Sequence, residues 1–131
     1  MFLLDTNILS ELIKKRPNPY LLSRLSAFPV HNLFTSIICL MELRYGAALR
    51  KDFGSFWSKL VDHVISQFQV LTLGPKEGVL AGDILARIRK KGQMIGLEDI
   101  LISATALSHA LVLVSGKTKH FSKVDGLVIE N

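Results

Sequence analysis

The chain has 131 residues, of which 49% are hydrophobic and 21% charged, and this composition excludes an intrinsically disordered protein. Its length suits one domain over residues 1–131. The 16 Lys and Arg residues outnumber the 11 Asp and Glu residues, and the formal net charge of +5 either favours a polyanionic partner or only aids solubility. The single cysteine, Cys39, excludes an intramolecular disulfide and a zinc site built from several cysteines.

Strand-like and helix-like patterns alternate along the chain. Short apolar runs predict strands, and apolar residues that recur every three or four positions predict helices. In chain order we predict a strand over residues 2–4, helices over 8–15 and 20–27, a strand over 33–35, and helices from 37 to about 51 and over 53–68. There follow a strand over 70–73, helices over 75–91 and 98–110, and strands over 111–114 and 127–129. This alternation predicts a Rossmann-like α/β fold, a parallel β-sheet flanked by helices on both faces.

The sequence also bears on where the protein acts. No uninterrupted apolar run reaches the roughly 18 residues that a transmembrane helix needs, so we expect no membrane association. The first residues include the carboxylate of Asp5 and lack a basic segment, which argues against a secretory signal. We therefore expect a cytoplasmic protein.

Asp5 is the first candidate functional residue. In parallel sheets, functional side chains lie beyond the carboxyl ends of the strands, and Asp5 directly follows the first predicted strand. The alternative interpretation is that Asp5 only caps the next helix.

Glu42 is the second candidate. It follows the apolar residues 37–41, and its helical neighbours include Ile38 and Cys39, so we expect its carboxylate to be at least partly buried. Buried carboxylates are rare unless they are paired or bind a metal ion. The alternatives are a salt bridge to a nearby base such as Arg44, or exposure at the edge of the helix.

Two further acids, Glu98 and Asp99, open a predicted helix. Acids in the first turn stabilise the helix dipole, and this explains one of them. Asp99 shares a face with Ile102, Ser103 and Ala106, so we expect Asp99 to point inward and Glu98 to face solvent.

Asp5, Glu42 and Asp99 come from separate segments, and together they predict a metal site. Carboxylates that are brought together repel one another unless a cation neutralises them. Oxygen ligands suit the hard ions Mg²⁺ and Mn²⁺, which activate water and stabilise charge on a phosphoryl group. A basic protein with such a site is a coherent picture of a nuclease.

Four segments resemble, in order, the four motifs of PIN-domain ribonucleases of the VapC toxin type. The first two are Leu-Leu-Asp5-Thr6-Asn7-Ile-Leu-Ser and Ser36-Ile-Ile-Cys-Leu-Met-Glu42-Leu-Arg-Tyr-Gly46. The third is Gly92-Gln-Met-Ile-Gly96-Leu-Glu-Asp99-Ile-Leu-Ile-Ser-Ala-Thr-Ala. The closing one is Val112-Leu-Val-Ser115-Gly-Lys-Thr-Lys-His120-Phe121, followed by Gly126-Leu127. The resemblance extends over essentially the whole chain, and four ordered motifs are far more specific than Asp-Thr-Asn alone.

The resemblance implies a PIN fold and cleavage of RNA, with transfer RNA as the expected class, that depends on Mg²⁺ or Mn²⁺ and leaves 5′-phosphate and 3′-hydroxyl ends. It also implies a VapB-type antitoxin partner, a homodimer and a toxin–antitoxin role. Carried over to this chain, the metal-binding and catalytic acids are Asp5, Glu42 and Asp99. Ser115 would form a hydrogen bond near the first acid, and Asn7 would support the site.

The closing motif departs from the family at two positions. Where the family commonly has Asn or Asp, and then an acid before the Phe, this chain has Lys117 and His120. We therefore expect one metal ion rather than two. Lys117 could contact the scissile phosphate or lie outside the site. No metal-ligand spacing includes His120, so we expect a packed or exposed side chain there.

Basic residues near the third and fourth motifs are candidates for holding RNA phosphates. They are Arg87, Arg89, Lys90 and Lys91 in the first group, and Lys117, Lys119 and Lys123 in the second. The alternative for the first group is a solvated helix end that the helix dipole favours.

The aromatic residues Phe53, Phe56 and Trp57 lie close together on one predicted helix. Their spacing predicts packing against the core. The alternative is a groove that receives an amphipathic segment of the antitoxin.

Three other functions compete with the nuclease. One is a PIN-like module without catalysis that binds RNA or a protein partner. A receiver domain needs paired acids after the first strand, whereas Asp5 is followed by Thr6-Asn7. A phosphatase of the haloacid dehalogenase type needs Asp-x-Asp, and Asn7 stands at the second position.

Overall fold

A five-stranded parallel sheet forms the centre of the computed structural model, which describes all residues from Met1 to Asn131. The strands are β1 (Phe2–Leu4), β2 (Leu33–Ser36), β3 (Gln69–Leu71), β4 (Val112–Val114) and β5 (Ile129–Glu130). They lie in the order β3-β2-β1-β4-β5, and every neighbouring pair is parallel. The predicted parallel α/β fold is confirmed.

Seven α-helices flank the sheet. They are α1 (Thr6–Leu12), α2 (Pro19–Ser26), α3 (Ile37–Ala48), α4 (Phe53–His63), α5 (Pro75–Lys90), α6 (Leu97–Ser108) and α7 (Thr118–Phe121). Short 3₁₀ turns cover Val30–Asn32 and Ile65–Gln67. None of the helices combines the length and the apolar character that crossing a bilayer requires.

Polar side chains define where several helices begin. The Ser36 hydroxyl accepts a hydrogen bond from the Cys39 N–H (3.1 Å) and caps α3. At the start of α5, the Gly74 N–H donates to Glu77 Oε1 (2.8 Å), and this bond holds the pKa of Glu77 below its ordinary value. These bonds satisfy backbone or side-chain groups that a helix start otherwise leaves without partners.

Some predicted boundaries are wrong. The helix predicted over residues 53–68 ends at His63, because Val64 leaves helical geometry and a 3₁₀ turn leads into β3. The last strand is Ile129–Glu130 rather than residues 127–129, because Ile129 pairs with Leu113 across the sheet. The short helix α7 was not predicted. Tertiary pairing and packing decide each of these features, and local patterns carry little information about them.

The core lies mainly between the sheet and the helices packed on it. The largest cluster contains 13 buried residues, including Leu3, Leu113 and Phe121, and a second cluster of six connects α5 with α6. Phe53, Phe56 and Trp57 are partly buried and pack against the larger cluster, which confirms the core interpretation for this stripe.

The strand order reverses beside β1. The chain runs from β1 outward to β2 and β3, then returns to β4 on the other side of β1. Ligand sites of open parallel sheets form at such a reversal, beyond the carboxyl ends of the strands. Asp5 and Ser115 directly follow the two strands that meet there.

Candidate active site

Asp5 is completely buried at the end of β1, where it also begins α1. Its Oδ1 accepts a hydrogen bond from the Thr6 N–H (2.8 Å), and its Oδ2 accepts one from the Ser115 hydroxyl (2.7 Å). Asp5 is thus both the helix cap and a site residue, so the two interpretations of it are compatible. One donor follows β1 and the other follows β4, so the two bonds orient the carboxylate from the ends of both central strands.

Glu42 projects from α3 and is half-buried, as its apolar neighbours predict. The Thr6 hydroxyl donates a hydrogen bond of 2.6 Å to Glu42 Oε1. The alternative salt bridge to Arg44 does not form, because the guanidinium of Arg44 stacks on the rings of Phe53 (4.5 Å) and Trp57 (4.7 Å). Glu42 therefore turns toward Asp5 rather than toward a local base.

The ligand atoms of Asp5, Glu42 and Cys39 lie within 4.8 Å of one another. The two carboxylates are hard oxygen donors, which Mg²⁺ and Mn²⁺ prefer. Burial raises the pKa of the Cys39 thiol, so the thiol stays protonated at neutral pH and is a poor ligand. The donor set therefore fits a hard divalent ion between Asp5 and Glu42.

Asp99 lies in the first turn of α6 and is buried, whereas Glu98 is exposed, and both orientations agree with the prediction. The carboxylate of Asp99 lies outside the compact group formed by Asp5, Cys39 and Glu42. Instead, the Lys117 ammonium is 3.5 Å from Asp99 Oδ1, and His120 Nδ1 is 3.1 Å from Oδ2. Both oxygens of the third acid thus have partners within the chain.

Lys117 stands at the beginning of α7, where its backbone N–H donates to the Ser115 hydroxyl (3.0 Å). Partial burial would lower its pKa, but attraction by the carboxylates of Asp99, Asp5 and Glu42 outweighs this effect and the pKa is raised. The side chain is therefore a permanent positive charge at neutral pH, next to Asp99 and within electrostatic reach of Asp5 and Glu42. The alternative that Lys117 lies outside the site is wrong.

Thr6 is the residue that the sequence analysis missed, and for His120 it missed one contact. The expectation of a packed or exposed side chain at His120 is confirmed, because 56% of that side chain is exposed, and its ring also contacts Asp99 (3.1 Å). No ligand spacing could reveal this contact, since α7 itself was not predicted. Thr6 lies inside the Asp-Thr-Asn motif, so its adjacency to Asp5 was a usable signal.

Asn7 is exposed at the edge of the site. A Cβ atom built at Gly116 would lie 3.3 Å from the Asn7 amide nitrogen, so this side chain lies close against the loop after β4. Asn7 and Gly116 also line a cavity of about 450 Å³ that extends along α1 and α2 to the end of the chain. Asn7, two residues after Asp5, thus lines this cavity together with the loop after β4.

The basic residues proposed for RNA lie near the same end of the molecule. Lys76 at the start of α5 donates to the Ser108 carbonyl at the end of α6 (3.2 Å), so the two helices run antiparallel. The end of α5 therefore lies beside the start of α6, where Asp99 is. Arg87, Arg89, Lys90 and Lys91 are exposed there, as is Lys119 on α7, and Lys91 pairs with Asp125 (3.1 Å).

The chain is similar to a known protein family and to several solved structures. The family model of the PIN domain matches residues 2–127, so the chain is a PIN-domain protein. The solved structure of FitAcB from Neisseria gonorrhoeae is similar, with a TM-score of 0.91 and 26% identity over 100% of this chain and 97% of that one. VapBC2 from Rickettsia felis, bound to a promoter DNA fragment, has a TM-score of 0.91 and 28% identity over 99% and 97%.

Relatives with ribonuclease names identify the subgroup of PIN-domain proteins to which the chain belongs. The chain is 35% identical to ribonuclease VapC2 of Haemophilus influenzae over 99% of this chain and 96% of the relative. It is 32% identical to the tRNA(fMet)-specific endonuclease VapC of Salmonella typhimurium, again over 99% and 96%. The chain belongs to the VapC family of PIN-domain ribonucleases.

Proposed function

We propose that this protein is an endoribonuclease that depends on a divalent metal ion and acts as the toxin of a type II toxin–antitoxin pair. The observation that carries the proposal is the buried Asp5 carboxylate, which Ser115 holds at 2.7 Å, next to Glu42, which Thr6 holds at 2.6 Å. Such bonds orient carboxylates before an ion arrives, and this preorganisation favours catalysis. The ribonuclease names of the relatives support the same activity.

Asp5, Glu42 and Asp99 would hold one Mg²⁺ or Mn²⁺ ion, and Asp5 and Glu42 would lie nearest to it. When bound, such an ion polarises a phosphoryl oxygen and lowers the pKa of water. Thr6 and Ser115 keep the two closer acids in position through their hydroxyl groups. One of the three acids would accept the proton of a water whose oxygen bonds to the phosphorus atom in line with the P–O3′ bond. That bond breaks as the new one forms, and the 3′ oxygen takes up a proton and leaves as a hydroxyl, while the phosphate stays on the 5′ end.

The substrate is RNA. Exposed basic side chains at the end of α5 and on α7 would hold the phosphates of the RNA, and Asn7 would line the path of the RNA. A relative with 32% identity is named as specific for tRNA(fMet), which supports transfer RNA as the substrate class. Specific recognition of RNA depends on shape and unpaired bases, so the exact target follows from features outside the acidic site.

A VapB-type antitoxin and a homodimer complete the proposal. A toxin–antitoxin complex from Klebsiella pneumoniae shares 26% identity with this chain and has a TM-score of 0.72 over 98% of it. Large apolar side chains such as Tyr45 (67% exposed) and Met94 (86% exposed) lie uncovered on the single chain. Exposed apolar surface of this kind suits protein partners.

The test is cleavage of bulk cellular RNA and of transfer RNA in Mg²⁺, Mn²⁺ or EDTA. We expect discrete products that require metal, and a loss of at least about 100-fold in rate for Asp5→Asn. Asp62→Asn, on the exposed face of α4, is the matched control and should cleave like the wild type. Cleavage that persists in EDTA and in folded Asp5→Asn would contradict the assignment.

One observation favours the second candidate, a non-catalytic PIN module that binds RNA. Both oxygens of Asp99 already have partners in Lys117 and His120. For this module, RNA affinity would be unchanged by EDTA, and no RNA would be cleaved by folded, antitoxin-free protein. The same experiment therefore separates the two functions.

A further inference from the structure

The third acid of the site has an unusual environment. Lys117 Nζ lies 3.5 Å from Asp99 Oδ1, and His120 Nδ1 lies 3.1 Å from Asp99 Oδ2. Asp99 is only 6% exposed, and these two side chains cover the two oxygens of its carboxylate. By contrast, Asp5 and Glu42 receive only neutral hydroxyl, thiol and amide donors within the chain.

The position of Lys117 is defined by the site itself. Its backbone N–H donates to the Ser115 hydroxyl (3.0 Å), and the same hydroxyl donates to Asp5 Oδ2 (2.7 Å). One serine thus links the backbone of Lys117 to the first acid, while the ammonium of Lys117 reaches the third acid. The fold therefore anchors the backbone of Lys117 next to the site, and from there the side chain reaches Asp99.

An ammonium group and a divalent ion compete for the same carboxylate oxygens. Three carboxylates carry a formal charge of −3, and Lys117 supplies a formal charge of +1 before any ion binds. A fixed positive charge a few ångströms away also repels an approaching cation, and this repulsion is weakly screened in a partly buried site. The site consequently has less unbalanced negative charge than its three acids suggest.

We propose that the ammonium of Lys117 is a tethered cation that takes the place of a second divalent ion on the Asp99 side of the active site. The site then binds a single ion, next to Asp5 and Glu42, and His120 keeps the Asp99 carboxylate oriented toward Lys117. This inference rests on the proposed metal-dependent function and adds the reason why one ion suffices.

The test is a titration with Mn²⁺, in which the free ion is followed by its electron paramagnetic resonance signal. The wild type should bind one ion per chain. Lys117→Met removes the charge and should bind its first Mn²⁺ ion at least about tenfold more tightly. Lys51→Met is the control, because Lys51 is exposed, forms no ion pair and follows the end of α3 that lies away from Ser36, so the Mn²⁺ affinity of this variant should stay at the wild-type value.

Lys117→Gln is a second variant that tests the same charge if Lys117→Met does not fold. Glutamine can still donate a hydrogen bond to Asp99 but carries no charge, so the folded glutamine variant should also bind Mn²⁺ more tightly than the wild type. Circular dichroism identifies which variants are folded.

Two results would overturn the inference: two Mn²⁺ ions in the wild type, or wild-type affinity in a folded variant without the charge. These readouts are independent of RNA cleavage. A protein that cleaves RNA with metal but shows no change at position 117 retains its proposed function and loses only the tethered cation. If neither the wild type nor the variants bind Mn²⁺, both proposals are wrong.

Discussion

Thr6 is the residue that joins two of the acids. Its N–H donates to Asp5 and its hydroxyl donates to Glu42, although the two acids lie 37 positions apart in the sequence. A threonine side chain has few rotamers, so it holds an acceptor in place at low entropic cost. Thr6 therefore positions the acids without offering a charge of its own.

Thr6→Val tests this positioning role. Valine keeps the shape of threonine and the backbone bond to Asp5, but it loses the hydroxyl bond to Glu42. We expect Mn²⁺ affinity and the rate of RNA cleavage to fall by about 10-fold to 100-fold, as for other groups that orient metal ligands. Thr72→Val, at an exposed position after β3, is the control. A variant with wild-type Mn²⁺ affinity would assign Thr6 a purely structural role.

The backbone is strained at the end of α6. Ala110 has a φ of 54°, the only positive value outside glycine. The Leu111 N–H donates to the Ala106 carbonyl (2.9 Å), and the Ala110 N–H donates to the Leu107 carbonyl (3.2 Å). These two bonds form a Schellman motif, whose left-handed position favours glycine because an alanine Cβ is crowded there.

Ala110→Gly should therefore stabilise the protein. The relief of left-handed strain exceeds the extra entropy of glycine in the unfolded chain, so we expect a gain of about 0.5–1 kcal/mol in the free energy of unfolding. Ala86→Gly, at an exposed position inside α5, should instead lose about 1 kcal/mol. Urea denaturation measures both values, and equal losses in the two variants would contradict the strain argument.

Over the whole molecule, charge is distributed so that an acidic centre has basic surroundings. The chain carries a net charge of +5, yet its three site acids are buried or half-buried at the edge of the sheet. Exposed basic side chains at the end of α5 lie at the same end of the molecule as Asp99. In the proposed function, these basic residues would attract RNA over a wide surface while the acids would hold an ion, since phosphate contacts supply most of the non-specific affinity.

Arg89→Gln tests this distribution. Loss of one phosphate contact should weaken RNA binding. It should also reduce, by about 0.7–0.9, the magnitude of the slope in a plot of the logarithm of the association constant against the logarithm of the salt concentration. Binding is measured by filter retention in EDTA so that the RNA stays intact. Lys51→Gln is the control, because Lys51 follows the end of α3 farthest from Ser36 and the site. Equal slopes for both variants and the wild type would place the RNA on another surface.

Many features could be predicted from the sequence because they depend on residues that lie close together along the chain. Apolar runs and apolar periodicity predict strands and helices through short-range packing, and β1 was predicted with its observed limits. The inward side of Asp99 and the outward side of Glu98 follow from helical geometry alone. Ser36 as the cap of α3 is equally local, since a cap acts within one turn.

The pairing of the acids with their partners depends on distant contacts. Thr6 and Glu42, Ser115 and Asp5, and Lys117 and Asp99 meet only because parallel strands bring their carboxyl ends to one edge of the sheet. The residue types identified the acids, and the resemblance identified their family. Only the folded chain decided that Asp99 faces an ammonium and an imidazole, because hydrogen bonding and charge act over a few ångströms of space and not along the sequence.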